Sequence, residues 1–171
     1  MRPPTVQPDP DWEEFHLPFD IGSGRSMFVE TERGPTIRMR FFKRKSDAAL
    51  VGRAWFGEAT FGPPGFVHGG VVSFVLDEAM GTCAWLAGYP SVAASLNVDF
   101  VQMTPLGEDC LVEAKIVDLQ PKTLVVETTL TLADETLVCG RGVFVRLKHE
   151  RLITVFKERE LPDLSGFEFV H

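Results

Sequence analysis

His68, Gly69 and Gly70 stand together, and Asp77 and Glu78 follow seven and eight residues after Gly70. Between Val71 and Ala87, twelve of seventeen residues are apolar and fall on every face of a helix. A helix apolar all round is a buried one. An acid inside it is costly unless it is paired or used. The first N–H groups of a helix have no intrahelical partner and lie at the positive end of its dipole. A glycine there lets a carbonyl approach the backbone closely. The pattern therefore combines donors for an oxyanion at the helix start, where Gly70 lies, with a carboxylate, Asp77, able to activate a water. Seven residues are about 10 Å along a helix axis. One small carbonyl group cannot bridge that distance. Two antiparallel helices from two chains would bring Gly70 of one copy to Asp77 of the other.

The elements that must position these residues follow from the flanking sequence. Ile37, Met39 and Phe41 alternate with Arg38, Arg40 and Phe42, which predicts a half-buried strand. Ala48 to Phe56 is its hairpin partner. A Pro/Gly-rich loop, Gly57 to Val67, precedes the helix, and Gly88 and Pro90 stop it. Four strands with short turns come next: Ala93–Met103, Cys110–Asp118, Thr123–Leu132 and Leu137–Leu147. On the first, Leu96, Val98 and Phe100 share one face, and Ser95, Asn97 and Asp99 the other. The expectation is an α+β domain over 36–147, with an antiparallel sheet of about six strands wrapped around one long buried helix. So few strands cannot enclose a helix, so its open side is expected to meet a second copy.

The two ends stand apart. Residues 1–35 hold six of the twelve prolines and seven acids against three arginines. They read as an extended arm anchored by Trp12, Phe15 and Phe19, with the first ten residues disordered. Residues 148–171 form a C-terminal extension. The net charge of −7 argues against nucleic acid or an anionic membrane as the main partner. The two acids within the longest apolar stretch argue against a membrane span. Cys83, Cys110 and Cys139 are odd in number, lack C-x-x-C spacing, and have no histidine at zinc-finger distance. They imply buried free thiols, no metal site and a reducing compartment, hence a cytoplasmic protein.

The His68-Gly69-Gly70 loop, the aspartate nine positions after that histidine, and the strand Leu96-Asn97-Val98-Asp99-Phe100 together resemble the hotdog-fold acyl-CoA thioesterases. The likeness is to the group containing the phenylacetate-pathway thioesterases and the animal thioesterase-superfamily enzymes. It covers about Thr36 to Leu147. It implies hydrolysis of an acyl-CoA thioester in lipid metabolism, no cofactor, and a homodimer or a tetramer built as a dimer of dimers. Asp77 becomes general base or nucleophile, and Gly70, the second glycine, the oxyanion donor. His68 either contacts the thioester or orders the loop.

Gly69 lies at the substrate, and Lys122, in a turn, faces coenzyme A phosphates. Many relatives carry an asparagine where Gly62 stands, and some a water-orienting Ser or Thr where Ala93 stands; Ser91 and Ser95 are the nearby substitutes, Ser95 being expected on the same strand face. Phe61, Phe66, Met80 and Trp85 are candidates for the acyl pocket. The bland alternative pairs Asp77 with Arg38, Arg40 or Arg53 in a non-catalytic acyl-CoA-binding or structural hotdog protein. A hotdog dehydratase would need an Asp and His pair at this loop and helix start in a different spacing.

Overall fold

The computed structural model describes residues 3–17, 30–31, 34–158 and 170. The short β1 (Trp12–Glu13) leads to a two-stranded ribbon of β2 (Glu30–Thr31) and β3 (Gly34–Pro35). A hairpin of β4 (Ile37–Arg44) and β5 (Leu50–Phe56) follows. After a 3-10 turn (Glu58–Thr60), α1 runs from Gly69 to Leu86. Then come β6 (Ser91–Phe100), β7 (Asp109–Leu119), β8 (Thr123–Leu132), β9 (Glu135–Arg146) and α2 (His149–Glu158). Seven strands form one antiparallel sheet in the order β1-β4-β5-β7-β8-β9-β6.

Burial alternates along β8 and the first half of β7, whereas β5 is buried on both faces, and the apolar face of the sheet decides where α1 sits. Val72, Val75, Leu76, Ala79, Met80 and Ala84 of α1 are buried with Met39, Phe41, Val112, Val126, Leu130 and Phe144 of the sheet. Each large side chain buried there contributes about 1.5–3 kcal/mol. The helix ends in a Schellman motif: the Gly88 and Tyr89 N–H groups donate to the Trp85 and Ala84 carbonyls. Gly88 holds φ at +82°, which suits a residue without a Cβ. Cys83 and Cys110 are buried, and burial pushes both thiols up to about 12.

The other face of the sheet has its own small core, in which Val6 and Trp12 of the arm cover Phe42 and Val51. The Trp12 and Phe42 ring centroids are 5.5 Å apart. Lys45 donates to the Pro10 carbonyl and Arg40 to that of Val6. Residues 3–10 are therefore seated on the sheet, contrary to the expectation of a disordered start. The apolar anchor Val6 and the backbone carbonyls along the arm hold it there. Phe19 lies outside the described residues. The C-terminal extension forms α2, with Leu152 buried.

The sheet's last strand decides how the chain meets its surroundings. Among the described residues, β6 pairs only with β9, which leaves its outer edge open. Val92, Leu96 and Phe100 on it are 42–53% exposed. Along α1, Gly70 is exposed, and Ser73, Phe74, Asp77 and Gly81, which share its side of the helix, are partly exposed. Among the described residues, no helix is long and apolar enough to cross a membrane.

Candidate active site

The loop before α1 is ordered by its own backbone. Pro63 accepts from the Phe66 N–H across a tight turn, with Gly65 at φ +84° in the position that needs it. The His68 N–H donates to Thr60, and the Val67 N–H to Thr104. A Cβ on Gly62 would stand 2.9 Å from the His68 Cα. No side chain can enter at this position without moving the loop.

His68 is the N-cap of α1, and its Nδ1 accepts from the Gly70 N–H at 3.0 Å. Its carbonyl accepts from the Val71 and Val72 N–H groups. In this position the His68 ring caps the helix start. The Gly70 N–H, the donor expected from the sequence, is taken up by the ring. Among the described residues, the first-turn N–H left without a partner belongs to Gly69. Replacing His68 with Ala removes the cap acceptor and should cost about 0.5–2 kcal/mol, whereas His68→Asn should retain most of it. Thermal melts of the two variants check this; equal melting temperatures would mean that the cap holds nothing.

Asp77 is half-buried on the partly exposed side of α1. Seven residues fall about 20° short of two full turns, so Asp77 and Gly70 share one helix face. Among the described residues, Asp77 has no hydrogen-bond or ion-pair partner. Burial alone raises its carboxyl above the ordinary aspartate range. The arginines that were candidate partners all lie on the other side of the sheet. Arg38 pairs with Asp109, Arg40 with Glu14, and the Arg53 guanidinium sits 5.7 Å from the Trp12 ring centroid. Glu78 lies about 100° further round the helix.

The remaining sequence candidates are dispersed. A β-bulge between Ala93 and Ser95 shifts the strand parity. Ala93 pairs with the buried Phe144, whereas Ser95 pairs with Val143 on the face turned away from α1. Ser95 therefore does not share the face of Ala93, which corrects its assignment as a substitute. Lys122 accepts, through its carbonyl, from the Arg146 N–H, and Arg146 pairs with Ser91. That is the opposite end of β6 from Phe100, about 30 Å away at strand rise, in the same chain. Met80 and Trp85 are buried. Phe66 lines a groove beside the helix start, together with Gly69, Val72, Phe100 and Met103. Phe100 and Met103 were missed as site residues; the signal available was that Phe100 shares the inner face of its strand with Leu96 and Val98.

The thioesterase superfamily model matches residues 64–139, from the loop through α1 to β9. The chain has the hotdog fold and is similar to the thioesterase superfamily over those residues. The acyl-coenzyme A thioesterase THEM4 of Rattus norvegicus is 27% identical over 125 residues, 72% of this chain and 54% of that protein. The chain thus spans about half the length of the curated relatives it matches. The crystal structure of protein RHA08564, a thioesterase superfamily protein, superposes with a TM-score of 0.60 at 26% identity. It covers 63% of this chain and 53% of that one. The E. coli PaaI protein from the phenylacetic acid degradation operon gives 0.59 at 17% identity, covering 64% and 80%. The hotdog architecture expected from the sequence is the observed one, with β1 as a seventh strand.

Proposed function

We propose that the protein is an acyl-CoA thioesterase whose site is shared between two chains. The observation that carries this reading is Asp77. It is a half-buried carboxylate without a partner among the described residues, on the helix face that also bears the helix start. A structural acid would be paired; an acyl-binding protein would not need it. The resemblance to acyl-coenzyme A thioesterases supports the substrate class.

Dimerisation is supported by the open edge of β6, its exposed Leu96 and Phe100, and the partly exposed side of α1. A two-fold axis perpendicular to β6 at that edge sets the two α1 helices antiparallel. Asp77 of one copy then faces the helix start of the other. The same axis brings Lys122 of one chain toward the helix start of its partner, where coenzyme A phosphates would meet it.

In this arrangement the thioester carbonyl accepts from the Gly69 N–H at the positive end of α1. Asp77 of the other chain takes a proton from water as the water oxygen bonds to the carbonyl carbon. The tetrahedral intermediate collapses, the carbon–sulfur bond breaks, and the thiolate leaves and is protonated. The products are the free acid and coenzyme A. Gly70 anchors the His68 ring and leaves space beside it: a Cβ there would stand 3.2 Å from the imidazole. The test is release of free thiol from a panel of acyl-CoA thioesters of graded chain length and aromatic content. Turnover of at least one member, lost in Asp77→Asn, is the expected result. Binding without turnover across the panel would favour the non-catalytic reading.

A further inference from the structure

The groove beside the helix start encloses about 290 Å³ and has one unusual wall. Phe100 is a large apolar residue, 53% exposed at the end of β6. Its ring lies against Gly69: a Cβ built there would stand 3.2 Å from the ring Cζ and 3.4 Å from Cε1. The ring therefore occupies the space next to the first-turn N–H that lacks a partner. An oxygen accepting from that N–H lies about 2.9 Å from the nitrogen. The carbonyl carbon is about 1.2 Å beyond the oxygen. The first carbon of the acyl group then falls within contact range of the ring. A methylene can lie flat on it. A second branch needs room of the kind that a Cβ on Gly69 already lacks.

We infer that Phe100 determines acyl specificity, admitting thioesters unbranched at the carbon next to the carbonyl and disfavouring those that carry a methyl branch there. This rests on the thioesterase reading and goes beyond it by naming the acyl class. One methyl group in an apolar site separates substrates by about 10–200-fold.

The experiment compares the best straight-chain acyl-CoA of the panel with its 2-methyl analogue, by thiol release. The enzymes are the wild type, Phe100→Leu and Phe100→Ala, each checked for its native melting transition and subunit assembly. The wild type is expected to favour the straight chain by about 10-fold or more in kcat/KM. Phe100→Ala should narrow that ratio about 10-fold, mainly by gaining on the branched substrate. Phe100→Leu, which keeps apolar bulk and protects the fold, should fall between the two. A wild-type ratio near one, or a ratio unchanged in folded Phe100→Ala and Phe100→Leu, overturns the inference while leaving thioester hydrolysis intact. A wild type inactive on every thioester overturns the underlying reading and this inference with it.

Discussion

Asp77→Asn is expected to lower kcat by about 10²–10⁴ while leaving the protein folded and, near neutral pH, no less stable than the wild type. The two halves of this expectation have one cause. Burial raises the Asp77 carboxyl, and nothing among the described residues pairs with its charge. A group whose folded-state value is raised above its unfolded value binds more protons when folded. The protein therefore loses stability as pH rises through that interval, and above it the ionised Asp77 is a net cost. Asparagine keeps the size and removes the charge, so the variant gains at neutral pH. The gain disappears below the ordinary carboxylate range, where both proteins carry a neutral side chain.

Activity moves in the opposite direction. A general base works only when ionised, so the acid limb of kcat/KM should lie above the ordinary aspartate range, and Asp77→Asn should abolish it. Glu78→Gln, about 100° away on the helix, should have a much smaller effect on kcat. A destabilised Asp77→Asn with undiminished turnover would identify Asp77 as a structural acid.

Much of this fold was legible in the sequence because its signals are local. Several strands alternate, Gly88 and Pro90 stop the helix, and the helix is too apolar to face water. The same alternation already placed Arg38 and Arg40 opposite Met39 and Phe41. Since α1 packs on the apolar side, those arginines were never in reach of Asp77. What the sequence could not show depends on geometry finer than residue type. The β-bulge at Ala93–Ser95 turns Ser95 to the other face, and no composition signal marks it. The Gly70 N–H is taken up because of where the His68 ring lies, a rotamer choice invisible in three consecutive letters. The arm's seat on the sheet depends on Val6 meeting Phe42 and Val51, a contact across more than thirty residues. Prolines and acids in the same segment masked it.

The second large effect belongs to the helix start. Gly69→Val keeps the N–H but places a branched side chain where a single Cβ already meets the Phe100 ring at 3.2 Å. The carbonyl is then barred from its donor. Loss of one oxyanion contact typically lowers kcat by about 10²–10³. The mechanism and the assembly meet in one experiment, because Gly69 and Asp77 are assigned to different chains of the same site. Subunits carrying Asp77→Asn are combined with subunits carrying Gly69→Val, and the heterodimer is isolated by differential tags. In a shared site, one of its two centres carries both defects and the other carries neither. Thiol release should therefore return to about half the wild-type value per dimer, although each parent homodimer is inactive. A confirmed heterodimer as inactive as its parents would place Gly69 and Asp77 in the same chain's site and contradict the account.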